Sequence, residues 1–270
     1  MRSCLRLATL VLVVSLTGIG ACGSDANPAS PGSGPTDLPR GDEPVELDPS
    51  DFSTTIDNDH WPMAPGTRWT YREVDEEGNE LEVVVTVSTE TKEIANGITA
   101  RVVRDTVTQD GELIEDTFDW YAQDAAGTIW YLGEETAEFE DGEISSTEGS
   151  FEAGVDGALP GVIMPGTPAD GQRYRQEYYA GEAEDNGEIL STEEQVDVPF
   201  GHFDDALLTK DTNAIEPDVL EYKLYAPGVG PVLTLGISGG GGQEQLVDVA
   251  EVTDAVARAA GTAALGQRYG

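Results

Sequence analysis

From Trp61 onward apolar and polar residues alternate in short runs, and a glycine-bearing turn ends each run. The turns are Glu77-Gly78-Asn79, Asn96-Gly97, Asp110-Gly111, Ala126-Gly127, Asp141-Gly142, Asn186-Gly187 and the glycines from Gly239 to Gly242. Asn-Gly and Asp-Gly between alternating runs mark β-hairpins, because both central residues of a type I′ turn need positive φ. The runs are Thr67–Val74, Leu81–Thr89, Ile98–Thr108, Leu113–Gln123, Thr128–Leu132, Arg173–Ala183, Ile189–Val198, Ala206–Asp211, Val219–Tyr225, Val232–Ile237 and Gln245–Val249. They predict about eleven antiparallel strands.

Val83, Val85 and Val87 face opposite to Val84, Thr86 and Ser88, so one face of the sheet is dry and the other wet. Several runs exceed the five or six residues usual for a strand, which favours a strongly twisted, curved sheet. The expected fold is all-β: one curved antiparallel meander, half-barrel or barrel-like, with a long loop over 151–170 and a short C-terminal helix. An outer-membrane barrel is excluded, because Asp and Glu occur in almost every strand and a lipid-facing surface would have to be free of them.

The ends of the chain read differently. Arg2, Arg6 and the apolar run Leu7–Leu16 have the form of a secretory signal, too short to span a bilayer. Residues 22–55 are rich in Pro, Gly, Ser and Asp without hydrophobic periodicity and are expected to be a disordered tether. Residues 56–250 form the single β domain. Residues 251–270 are alanine-rich with few large apolar groups, so a frayed helix or disordered tail is expected there.

Composition then narrows the function. The chain has 14 Lys and Arg against 52 Asp and Glu, a formal charge of −38. A phosphate-binding footprint is absent, so nucleic acid is not an expected partner. Gly236-Ile237-Ser238-Gly239-Gly240 matches the hydrolase nucleophile elbow, but glycines and another strand follow where a helix is required. Two isolated histidines, His60 and His202, make no zinc set. Glu182, Glu184, Asn186 and Glu193 fit the spacing of a calcium loop, with Gly187 at the turn position. The same residues also read as an acidic hairpin, with Asn186-Gly187 at its tip.

The aromatics are the other constellation. Trp120-Tyr121 and Trp130-Tyr131 flank the turn at Gly127, and adjacent residues of a strand point to opposite faces, so one of each pair belongs to the core. Trp69, Tyr71, Trp120, Trp130 and Tyr178 are the candidate lining of an apolar or amphipathic ligand site within a concave sheet. A glycosidase-like hydrolase remains open if two buried carboxyls stand about 5 to 10 Å apart in a cleft.

Ile19-Gly20-Ala21-Cys22 resembles the lipobox of bacterial lipoproteins. The resemblance implies that residues 1–21 are removed, that Cys22 receives a diacylglycerol and further acylation, and that the chain is anchored to a cell membrane on its extracytoplasmic face. The segments Trp61–Tyr71, Val198–Phe203 and Tyr225–Val232 are similar to ones that recur in bacterial exported proteins of unassigned activity. More loosely, the architecture resembles LolA-type and mycobacterial lipid-carrier lipoproteins. The combined expectation is a lipid-anchored, non-enzymatic carrier or sensor of an apolar or amphipathic ligand. The alternative is a cation-dependent scaffold or interaction protein of the cell envelope, with calcium as the candidate ion. Oligomeric state is not legible in the chain.

Overall fold

A computed structural model describes residues 38–239 and 242–270. The signal segment 1–21, Cys22, the tether as far as residue 37 and the centre of the glycine turn at 240–241 lie outside the described residues. Among the described residues no helix is long and apolar enough to cross a membrane.

Among the described residues the protein is one antiparallel sheet with a single α-helix, α1 (Asp254–Thr262), and one 3-10 turn at Pro49–Asp51. The strands are β1 (Phe52–Ser53), β2 (Thr67–Val74), β3 (Glu80–Glu93), β4 (Thr99–Gln109), β5 (Glu112–Asp124), β6 (Ile129–Glu140), β7 (Glu143–Ser146) and β8 (Phe151–Glu152). They continue as β9 (Gly161–Met164), β10 (Arg173–Arg175), β11 (Asp185–Val198), β12 (Gly201–Asn213), β13 (Leu220–Ala226), β14 (Gly230–Ser238) and β15 (Gln243–Glu251). The hydrogen-bonded order is β10-β11-β12-β13-β14-β15-β2-β3-β4-β5-β6-β7, with β1 on β5 and both β8 and β9 on β6. Two meanders therefore share one sheet, joined where β15 pairs with β2.

The predicted turn chemistry is found at two hairpins, whereas at Asn96-Gly97 and Ala126-Gly127 the glycine alone has positive φ. Asp110 (φ 53°) and Gly111 (φ 80°), like Asp141 (φ 54°) and Gly142 (φ 80°), have the paired positive φ of a type I′ hairpin. Asn186-Gly187 does not. Both residues lie within β11, paired to β10 and β12, and a Cβ on Gly187 would stand 2.6 Å from the ring of Tyr174. Here glycine makes room for an aromatic ring, and the chain reverses earlier, where Tyr179 bridges Ala183 around Gly181.

Curvature follows from one contact set. Trp61 lies 5.8 Å from the ring of Tyr121 on β5 and 5.8 Å from that of Tyr225 on β13, so those rings lie within twice that distance. Six strand spacings separate β5 from β13 along the sheet, roughly 29 Å if it were flat. The sheet therefore wraps on itself. At the seam β9 pairs with β6, Leu159 bridges Tyr178, and buried Arg175 on β10 donates from Nε to the Pro160 carbonyl at 2.9 Å. The 151–170 segment thus contributes two short strands and closes the open side.

Both ends of the described chain depart from expectation. The second half of the expected tether is docked: Leu38 is buried, the Arg175 backbone N–H donates to Pro39, and its guanidinium donates to the carbonyls of Gly41 and Glu43. Phe52 and Ser53 form β1, and Phe52 packs edge-on against Trp130 at 6.3 Å. The C-terminal tail is docked as well. Thr253 caps α1, Ala257 and Ala260 are fully buried, and a Cβ at Gly261 would stand 2.1 Å from Ser88 Oγ. Small residues here bring the helix close to the strands, so large apolar groups are not required.

Candidate functional site

The site is built by strand parity. On β4, Val103 and Asp105 face inward and Arg104 outward; on β5, Asp119 and Tyr121 face inward and Trp120 outward. Inward positions of β2, β3, β13, β14 and β15 join them around a cavity of about 250 Å³. Its aromatic wall is Trp61, Tyr71, Tyr121, Tyr131 and Tyr225, with Tyr121 stacked on Tyr131 at 4.9 Å. Its polar lining is Asp105, Asp119, Glu177, Glu244, Thr234 and Lys223.

One irregularity places a further carboxyl. Residues 131 and 134 would point to opposite faces of a regular strand. The β5–β6 register shifts by one between the Asp119–Glu134 and Tyr121–Tyr131 pairs, and Gly133 sits there with φ 132°. This bulge turns Glu134 to the inner side. Tyr131 Oη then lies 2.7 Å from Asp119 Oδ1 and 2.6 Å from Glu134 Oε2. The two carboxyl oxygens are therefore no farther apart than about 5 Å, those two bonds laid end to end. A phenol has one proton to donate, so one carboxyl accepts it and the other must itself be protonated to bond the phenol oxygen.

The acids of this interior resist ionisation. Burial, with Asp119 as the next cause, pushes Glu134 up to about 8. Burial raises Asp119 to about 6 against the pull of the Tyr131 hydroxyl, and raises Glu244 to about 7 with help from Glu73. Asp105 and Glu177 are pushed well above the usual carboxylate range by burial first and neighbouring acids second. Lys223 is held well above its ordinary value: burial pulls it down, but Asp211 at 3.2 Å and Glu221 at 3.4 Å more than offset that.

The candidate lining is divided by this geometry. Tyr71 lines the cavity and donates to the Pro231 carbonyl at 3.1 Å. Trp69 is buried and donates to the Val229 carbonyl at 2.8 Å, fastening β2 to the turn before β14. Trp120 and Trp130 occupy the other face of the sheet: Lys92 Nζ sits 3.8 Å above the Trp120 ring, and Trp130 donates to Asp124 at 2.9 Å. Tyr178 belongs to the seam. Of each adjacent pair it is therefore the tyrosine that faces the cavity. Cys22 lies outside the described residues.

The calcium reading fails on geometry. Among the described residues no three His, Cys, Asp or Glu side chains are grouped to hold a metal ion. Glu184 accepts from the Gly181 N–H, Asn186 donates to the Glu184 carbonyl, and Glu193 is carried away along extended β11.

Asp105, Asp119, Glu134, Glu177 and Glu244 were not singled out by the sequence, although a signal existed. Asp105 has the same parity as Val103 and Val107, and Asp119 the same as Tyr121. An acid in register with an apolar face is the mark to look for.

No protein-family model matches the chain, and no curated protein matches it. Among solved structures it is similar to a "putative lipoprotein" from Parabacteroides distasonis, at 13% identity and a TM-score of 0.37, covering 70% of this chain and 97% of that one. A likeness of that extent transfers neither fold nor activity, and the site stands on its own geometry.

Proposed function

We propose that this is a lipid-anchored extracytoplasmic binding protein, a carrier or sensor that holds a small amphipathic ligand inside its curved sheet. One observation carries the reading: strands β13 to β15 of one meander and β2 to β6 of the other converge on one cavity with an aromatic wall and polar groups among the aromatics. Binding sites of this kind combine apolar walls with a few converging polar groups. The anchor rests on the resemblance of Ile19–Cys22 to a lipobox. It makes the membrane a partner through the diacylglycerol on Cys22, and the docked segment from Leu38 to Ser53 shortens the free tether expected of that end.

The test is to fill the space. Chain released from native membranes is analysed by native mass spectrometry, alongside Ile163→Phe, which adds bulk at the cavity wall. Wild type should carry a bound small molecule that the variant lacks, with both melting within a few degrees of each other. Equal loading of the two, or no loading together with an unchanged tryptophan emission across an amphiphile panel, overturns the reading.

The Asp119–Glu134 separation favours a second reading, hydrolysis of a glycosidic bond, because retaining glycosidases hold their carboxyls roughly 5 to 5.5 Å apart. Here, however, both carboxyls bond one hydroxyl on one wall, whereas that chemistry needs them on either side of the scissile bond. Turnover of aryl glycosides that is abolished by Glu134→Gln would reverse this preference.

A further inference from the structure

The ligand's charge can be inferred from the cavity's unpaired groups, an inference that rests on the binding reading above. Among the described residues no Lys, Arg or His makes an ion pair with Asp105, Asp119, Glu177 or Glu244. Lys223, the cation lining the cavity, already spans Asp211 and Glu221. Asp105 Oδ1 is shut away from solvent and has no hydrogen-bond partner. Buried polar atoms are nearly always satisfied, and an orphan beside a cavity points to an absent partner. The same cavity is lined by Trp61 and four tyrosines, aromatic rings of the kind that attract positive charge.

We infer that the cavity takes an organic ammonium ion with a short apolar or aromatic body, its charged end among Asp105, Asp119, Glu177 and Glu244 and its body against Trp61 and the tyrosines. An ammonium carries three donors and would satisfy Asp105 Oδ1. A bare divalent ion fits less well, because no three of these side chains are grouped closely enough to hold one. The volume, about 250 Å³, equals the share of roughly eight water molecules at ~30 Å³ each, which limits the ligand to a small amine.

Neutral acids must yield protons to receive such a ligand. The groups facing the charged end are Asp105 of β4, Asp119 of β5 and Glu244 of β15. Glu177 follows from the turn after β10, Glu134 stands behind Tyr131 of β6, and Lys223 is the opposing cation of β13. Burial raises Glu244 to about 7 and Glu134 to about 8, so at pH 7 an arriving cation displaces protons from them into solvent.

Isothermal titration of the intact chain at pH 7 with phenethylamine, phenethyl alcohol and hydrocinnamate tests this, run in two buffers of different ionisation enthalpy. The amine should bind roughly tenfold or more tighter than the alcohol, the expected weight of a charge-assisted hydrogen bond, and the acid should not bind. Amine binding should release protons, read as a buffer-dependent heat. Asp105→Asn, which keeps the size and removes the charge, should weaken the amine by about tenfold and the alcohol by less than that. Equal binding of alcohol and amine overturns the cationic inference and leaves the binding reading standing. Failure of all three probes to bind, with the Ile163→Phe variant carrying the same native ligand load as wild type, overturns both.

Discussion

The Asp116→Leu variant separates what holds the tail from what holds the sheet. Arg104 is fully buried on the outer face of β4, its guanidinium 4.3 Å from the centre of the Phe118 ring and 5.0 Å from that of Tyr269. It donates to both Asp116 oxygens, with Nε to Oδ1 at 2.5 Å, and to the carbonyls of Ala263 at 2.6 Å, Ala264 at 3.2 Å and Ala260 at 3.3 Å. Asp116 Oδ2 also accepts from the Gly266 N–H at 2.7 Å. One ion pair thus satisfies carbonyls that the end of α1 leaves unpaired. Removing the carboxylate strands a buried guanidinium, which costs about 3–5 kcal/mol. For a domain of this size that is a fall of roughly 6–20 °C in melting temperature. The assays are urea denaturation and limited proteolysis, and the tail beyond residue 253 should be cut long before the sheet. The double variant Arg104→Met with Asp116→Leu removes both charges and should be more stable than Asp116→Leu alone. A loss below about 1 kcal/mol, or a double variant as unstable as the two single losses combined, would refute the account.

Three further outcomes follow. Gly133→Ala would put a Cβ 2.3 Å from the Phe151 carbonyl oxygen at a φ of 132°, so it should cost about 2–5 kcal/mol from strain and overpacking, measured by urea denaturation. Thermal stability should decline as pH rises from about 5 to 9: Asp119, Glu244 and Glu134 have folded values of about 6, 7 and 8, above their unfolded values, so the folded state holds more protons and loses that advantage as pH passes each one. Glu134→Gln should flatten the upper part of that decline in a melting series. Arg175→Ala should free residues 38–55, seen as new protease sites there and a stability loss of about 3 kcal/mol, because the guanidinium joins β10, the Pro160 carbonyl and the Gly41–Glu43 segment.

How much of this was legible depended on the range of the cause. The strand Thr67–Val74 and the Asp110-Gly111 and Asp141-Gly142 turns follow from local chemistry, and local chemistry is what a single chain displays. Asn186-Gly187 carries the same local signal as a hairpin tip, yet its glycine answers to the ring of Tyr174, which chain proximity does not reveal. The docked tail escaped notice because Arg104 and Asp116, which hold it, lie about 150 residues upstream, and because its buried face is made of alanines. At the site, the acids on inner parity were readable in principle. The turning of Glu134 inward was not, since nothing before the fold shows that Gly133 begins a bulge.

The pairing of β15 with β2 also governs how the sheet comes into being. The meander from β2 to β7 and the one from β10 to β14 can each zip along neighbouring segments as the chain emerges. Their facing edges are not bridged until residues 243–251, which follow β14 in the chain, arrive to pair with 67–74. Until then the inner edge of the first meander stands unpaired, an open template for a second chain. The time before the final strand is made is thus a period of exposure, and a chain cut short before Gln243 would keep two half-sheets held through the seam where β9 pairs with β6 and Arg175 meets Pro160.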